Sequence, residues 1–223
     1  MLENIKAVAF DIDGTLYSAS SLNIRLVPYV IRHLKFYLHY YKVRKILHRT
    51  APLSDFYEYQ ARLLAEELSC PRDAAKKKIK DIVYDGLKDY FKKIKPFKNT
   101  ENTFKALKEK GYKVALLSDF PPEQKGDVWG LASYCDLIIG SEEIGALKPS
   151  KYPFGVLSMK LGIPMEQILY VGNSIKYDLF GAKNAGMKTA IIAGRIKRIF
   201  SKKLKMADIV FSNYRQLMNI LLK

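Results

Sequence analysis

Short apolar runs recur along this chain, and each ends on a polar group before a helical pattern begins. Ile5-Lys6-Ala7-Val8-Ala9-Phe10 leads to Asp11, and Tyr112–Leu117 leads to Ser118-Asp119. Leu137-Ile138-Ile139 leads to Gly140-Ser141, and Ile168–Val171 to Gly172-Asn173-Ser174. Lys188–Ile192 and Asp208–Phe211 read as further strands. Between the strands, Thr100–Lys110, Tyr152–Leu161 and Asp178–Asn184 read as helices, stopped by Gly111, by Gly162 with Pro164, and near Gly186. Strands that are short and apolar on both faces belong to a doubly covered sheet. Their alternation with helices predicts a Rossmann-like, three-layer α/β/α core around a parallel sheet.

Residues 19–95 break this rhythm. They are almost entirely helical in pattern and follow directly on the first strand. The division expected is a core of residues 1–17 and 96–223 with a helical cap, 18–95, inserted after the first strand. Ser18–Ser21 is the candidate hinge and Lys95-Pro96-Phe97 the return.

In a parallel α/β sheet, ligands bind at the carboxyl ends of the strands. Four polar stations stand at or between such ends: Asp11 with Asp13, Ser118, Lys148, and the segment Gly172–Asp178. In Asp11-Ile12-Asp13-Gly14-Thr15, two carboxylates suit a divalent cation, while the turn amides and the Thr15 hydroxyl suit phosphate oxygens. Gly14 permits a tight backbone path. Taken singly, each station has an ordinary alternative. Asp-x-Asp-Gly is also an Asx turn, Ser118 a cap, Lys148 a loop cation, and Asp178 a favourable charge at a helix start.

The four motifs together, in order and spacing, resemble the haloacid dehalogenase superfamily of phosphohydrolases over residues 1–17 and 96–223. The helical insert resembles that family's first-position cap. The resemblance implies Asp11 as a nucleophile forming an aspartyl phosphate. It implies Asp13 as the general acid and base. Gly14, Thr15, Ser118, Asp119 and Lys148 are then phosphate-binding, with Ser118 and Lys148 also catalytic. The implied metal ligands are Asp11, Asp13 (through its backbone carbonyl), Asn173 and Asp178, around Mg²⁺, with Mn²⁺ the alternative. Asn173 departs from the pattern, which commonly has Asp there. An amide oxygen still ligates a hard cation but lacks the charge. Dehalogenases of the superfamily lack the second Asp of the first motif, so Asp13 argues for phosphate chemistry. A phosphomutase, or a non-catalytic binding protein of the same fold, stays open on these residues.

The expected partner is a small phosphorylated substrate. Against 22 Asp and Glu the chain has 38 Lys and Arg, a formal charge of +16, which attracts anions of some kind. Residues 19–50 hold seven of these cations (Arg25, Arg32, Lys35, Lys42, Arg44, Lys45 and Arg49) and no acid. Val30, Leu34, Tyr37, Leu38 and Tyr41 form one apolar strip there, and Phe36, Tyr40, Val43 and Leu47 another, with a basic ridge of Arg32, Lys35, His39 and Lys42 between. A central helix covered on both sides is one reading. A surface for a protein partner, an acidic membrane or nucleic acid is the other, although no nucleic-acid-binding motif is present. Lys76–Lys78 and the run Arg195–Lys205 read as solvated. His33, His39 and His48 read as satisfied or exposed side chains, and Trp129 as packing on a helix before Cys135. No apolar run is long enough to span a bilayer. Met1–Asn4 enters the first strand without a signal-type stretch, and Cys70 and Cys135 lack metal-ligand spacing. A cytoplasmic protein with reduced thiols is expected. Oligomeric state is not legible.

Overall fold

The structure is a computed structural model and describes residues 4–194 and 201–222. Met1–Glu3 and Arg195–Phe200, the first half of the second basic run, lie outside the described residues. Six strands, β1 (Ala7–Phe10), β2 (Lys113–Ser118), β3 (Leu137–Gly140), β4 (Ile168–Gly172), β5 (Lys188–Ile192) and β6 (Ile209–Phe211), form one sheet in the order β3-β2-β1-β4-β5-β6. Every pairing is parallel. After β3 the chain crosses back over β2 and β1 to start β4. The topological switch point therefore lies between β1 and β4, where such sheets open a crevice for ligands.

Helices α1 (Ala19–Arg32), α2 (Leu34–Leu47), α3 (Phe56–Leu68), α4 (Arg72–Ile79), α5 (Lys88–Lys92) and α6 (Thr100–Glu109) lie between β1 and β2. Helices α7 (Lys151–Leu161), α8 (Phe180–Ala185) and α9 (Tyr214–Leu221) follow later. The two-residue period of the strands sorts their side chains. Val8, Phe10, Val114, Leu116, Leu169 and Val171 pack with Phe104 of α6 and Leu217 of α9. Ala7, Ala9, Ala115, Leu117 and Tyr170 pack with Phe154 of α7 and Ala182 of α8. Each face thus gets its own apolar layer, which is why the strands read as continuous apolar runs.

The helical segment has a core of its own. Phe36, Tyr40, Val43 and Leu47 of α2 pack with Phe56 and Leu64 of α3 and Ile79 of α4, and Leu147 from the sheet side joins them. The strands of chain entering and leaving this segment pair with each other, Tyr17 with Pro96, and the Phe97 N–H donates to the Leu16 carbonyl at 2.8 Å. Ser18, the first residue of the candidate hinge, caps α1 by accepting from the Ser21 N–H at 3.4 Å.

Three expectations change. Of the strip Val30, Leu34, Tyr37, Leu38 and Tyr41, Leu34, Leu38 and Tyr41 are exposed while Val30 and Tyr37 are half-buried, so α2 is covered fully only on its Phe36–Leu47 side. The helix expected from Asp178 begins earlier, with a π-helical turn at Ile175–Leu179. The Ser174 carbonyl accepts from both Asp178 and Leu179, at 3.1 and 3.0 Å, and its hydroxyl accepts from Tyr177 at 3.1 Å, which starts the winding there. Trp129 sits in a turn before a short 3₁₀ piece, Leu131–Tyr134, and donates to the Phe91 carbonyl at 3.3 Å. No helix among the described residues is long and apolar enough to cross a membrane.

Candidate active site

Asp11 lies one residue past β1, and its N–H continues the ladder to the Val171 carbonyl of β4 at 2.9 Å. This puts its carboxylate at the switch point. One oxygen accepts from the Lys148 ammonium at 2.7 Å and the other from the Thr15 hydroxyl at 2.7 Å. Burial pushes the Asp11 carboxyl up to about 7; Lys148 opposes this, and Asp178 and Asp13 add to it. The Thr15 N–H closes the turn on the Ile12 carbonyl at 3.2 Å. Thr15 is buried beneath the site, with its hydroxyl committed to Asp11.

Lys148 is the hub. Its ammonium also donates to Asp178 at 2.8 Å and to the Tyr170 hydroxyl at 3.1 Å. Burial alone would lower its pKa, but Asp11 and Asp178 outweigh that and hold it well above the usual value. The Asp178 carboxylate holds its own loop as well, accepting from the N–H groups of Asn173 and Ser174 at 3.0 and 2.8 Å. Two glycines make room for this. A Cβ on Gly172 would lie 2.3 Å from the Asp178 Cβ, and one on Gly14, at φ +86°, would lie 2.1 Å from the Asn173 amide nitrogen.

Asp13 accepts from the Tyr17 hydroxyl at 2.7 Å, from Ser118 at 3.0 Å and from the Lys125 ammonium at 3.0 Å. Burial raises its pKa, but Lys125 and these hydrogen bonds prevail and hold the carboxyl below the usual range. Ser118 thus faces Asp13, and the Asp119 carboxylate accepts from the Lys148 N–H at 3.0 Å.

A cavity of about 210 Å³ opens over these groups, lined by Asp11, Asp13, Asp119, Lys148, Asn173 and Asp178. Arg44 and His48 of the helical segment line it too, with Phe120, Ser174 and Tyr177. Arg44, read from sequence only as one of seven cations, is buried in an ion pair with Glu142, its guanidinium 4.5 Å above the Phe120 ring. His48 stacks on Tyr177 with ring centroids 4.4 Å apart. Its Nδ1 lies 2.6 Å from the Lys148 carbonyl, which can only accept, so Nδ1 carries the proton and Nε2 is left as an acceptor in the neutral ring. Burial lowers the His48 pKa, Asp119 opposes this and Arg44 adds to the lowering. Lys125 and Tyr17 also went unread, since each stands in a segment without motif spacing.

The carboxylate–lysine centre of this doubly wound α/β fold lies at the switch point, where such folds bind ligands. A family model described as haloacid dehalogenase-like hydrolase matches residues 8–192, and the chain belongs to that family. It is 27% identical over 197 residues to the pyrophosphatase PpaX of Halalkalibacterium halodurans, with 86% of each chain covered. It is also 27% identical over 203 residues to the glyceraldehyde 3-phosphate phosphatase of Methanothermobacter thermautotrophicus, covering 84% of this chain and 85% of that one. Among solved structures, a HAD phosphatase from Thermococcus onnurineus superposes with a TM-score of 0.65 at 23% identity, covering 97% of this chain and 98% of that one.

Proposed function

We propose that this hydrolase removes the phosphoryl group from a small phosphorylated metabolite through an aspartyl-phosphate intermediate on Asp11. The observation that carries the reading is the buried Asp11 carboxylate, oriented by Lys148 and Thr15 on the floor of the cavity. An Asp11 oxygen attacks phosphorus as the substrate oxygen leaves, and water then hydrolyses the acyl phosphate. Lys148 offsets negative charge on the nucleophile and the incoming phosphoryl group. Asp13 gives a proton to the leaving oxygen and takes one from water. The first role requires Asp13 to enter the step already protonated from solvent, against the Lys125, Tyr17 and Ser118 contacts that favour its ionised form. Relatives named as phosphatases support the phosphate substrate.

Mg²⁺ fits the donor set. One ammonium, Lys148, contacts two buried carboxylates, and burial keeps Asp11 raised, so the centre is short of positive charge. Mg²⁺ is commonly bound through one or two carboxylates, further oxygens and waters. Asp11, the Asp13 carbonyl, Asn173 and Asp178 would hold it. When bound, the cation neutralises phosphoryl oxygens and lowers their repulsion from Asp11. Residues 18–95 act as a cap in this reading, with Arg44 and His48 reaching the substrate's distal part. The protein works in the cytoplasm.

The test is phosphate release from a panel of sugar, nucleotide and small-acid phosphates, with Asp11→Asn as control. Asp11→Asn should lower kcat by at least about 10³-fold with an unchanged unfolding midpoint. Wild-type protein quenched with acid after mixing with ³²P-labelled substrate should carry label that hydroxylamine removes. Near-normal turnover in Asp11→Asn would remove Asp11 from the nucleophile role.

A further inference from the structure

The outer face of α1 and α2 carries an apolar line that no described residue covers. The His33 N–H donates to the Tyr29 carbonyl at 3.1 Å and the Tyr37 N–H to the His33 carbonyl at 3.0 Å. His33, at φ −112° and ψ +26°, lies outside the helical range and separates the two helices along this line. Ile24, Val27, Ile31, Leu34, Leu38 and Tyr41 recur along it in alternating steps of three and four residues. Ile24–Ile31 on α1 and Leu34–Tyr41 on α2 each span about 10 Å at the helical rise. Each is 50–71% exposed, while Phe36 and Val43 on the opposite side are buried. With Ile46, seven of the eleven exposed large apolar side chains among the described residues fall between positions 24 and 46. Exposed apolar residues scattered singly are ordinary; a continuous line marks an interaction surface.

Charge identifies the occupant. Of the seven cations in residues 19–50, Arg44 turns inward to Glu142, and Arg25, Arg32, Lys35, Lys42, Lys45 and Arg49 are exposed in the same segment. Lys42 has a partner in Glu67 at 3.1 Å, and the Lys45 ammonium lies 4.5 Å over the ring of Tyr41, on the line itself. A second copy would oppose these six exposed cations with six of its own. Nucleic acid would meet the cations but leave the aliphatic side chains in water. An anionic bilayer satisfies both: its interface takes up apolar side chains, and its headgroups attract the flanking cations.

We propose that the outer face of α1–α2 docks on an anionic phospholipid surface, with the helices lying in the plane of the interface. This inference does not depend on the phosphatase reading. The experiment is vesicle flotation of the full chain at 0.1 M NaCl, comparing pure phosphatidylcholine with phosphatidylcholine containing 30 mol% phosphatidylserine. Partitioning should be at least about tenfold stronger on the anionic vesicles. Ile31→Ser/Leu38→Ser should lower it by about tenfold, as should Lys35→Gln/Lys45→Gln/Arg49→Gln, each with an unchanged unfolding midpoint. If the double variant loses stability, Leu38→Ser alone is read in the same way. Absent or lipid-independent binding overturns the proposal. So does wild-type binding by the apolar variant, which would reduce the effect to net charge. Sedimentation showing a dimer that Ile31→Ser/Leu38→Ser dissolves overturns it in favour of a seam between copies. Binding of a single-stranded oligonucleotide without vesicle binding overturns it in favour of nucleic acid.

Discussion

Asp13 is held by a lysine 112 residues further along the chain. Lys125 ends a short 3₁₀ helix, Pro122–Lys125, and its buried ammonium lies 4.9 Å over the Phe91 ring while donating to Asp13. Removing one partner of such a pair leaves the other charge uncompensated. Asp13 remains partly open to water, which tempers the cost. Lys125→Met should therefore destabilise the protein by about 1–2 kcal/mol, and Asp13→Asn added to it should recover part of that loss. Urea unfolding of the two single variants and the double variant measures the coupling. Additive losses would mean that the pair contributes no net interaction. No spacing rule connects positions 13 and 125, so this partnership was not legible in sequence. Asp13 itself was, because it stands two residues from a strand-end carboxylate.

At the scale of elements, Asp136 joins three pieces of structure just before β3. Its carboxylate accepts from Lys108 of α6 at 2.6 Å, from Lys113 at 3.0 Å and from the Val114 N–H of β2 at 2.9 Å. Burial raises its pKa, but Lys108, the Val114 N–H and Lys113 outweigh burial and bring it down to about 2. A carboxyl lowered on folding stabilises the native state above its unfolded pKa. That contribution fades as pH falls from about 4 toward 2. Asp136→Asn should cost about 1–2 kcal/mol at pH 7, allowing for the exposure of both lysines, and almost nothing at pH 2. Unfolding midpoints of both proteins across that range check it; a difference that persists at pH 2 would contradict it. Strand and helix identities in this region were readable from periodicity. The early start of the fourth-motif helix was not, because it depends on the Ser174 carbonyl accepting two N–H groups.

For the whole molecule, the Arg44–Glu142 pair lies where the helical segment meets the sheet, with Leu147 packed beside α2. The Tyr84 hydroxyl, also from the helical segment, donates to Glu142 at 2.7 Å. Glu142→Gln strands a buried guanidinium and should destabilise by about 3 kcal/mol. Arg44→Met/Glu142→Leu removes both charges and should recover most of that stability. If Arg44 contacts substrate, kcat/KM of the double variant should remain at least about tenfold down while stability returns. Thermal melts and steady-state kinetics on the wild type and the two variants separate the two effects. Activity that returns with stability would make the pair purely structural.

The parallel α/β class was determined by the sequence alone, because strand and helix periods are local and every run announced its end. The same locality located Asp11 and Asn173 at strand ends and Lys148 and Asp178 in the segments that follow strands, and all four line one cavity. Tertiary structure decided the rest. It brought Arg44 and His48 over that cavity from the C-terminal end of α2, about thirty residues beyond the first motif. It also decided which apolar strip of α2 is buried, since both strips are apolar and α3 and α4 pack on the Phe36–Leu47 one. Sequence periodicity ranks the faces of a helix; only the neighbours that arrive from elsewhere in the chain choose between them.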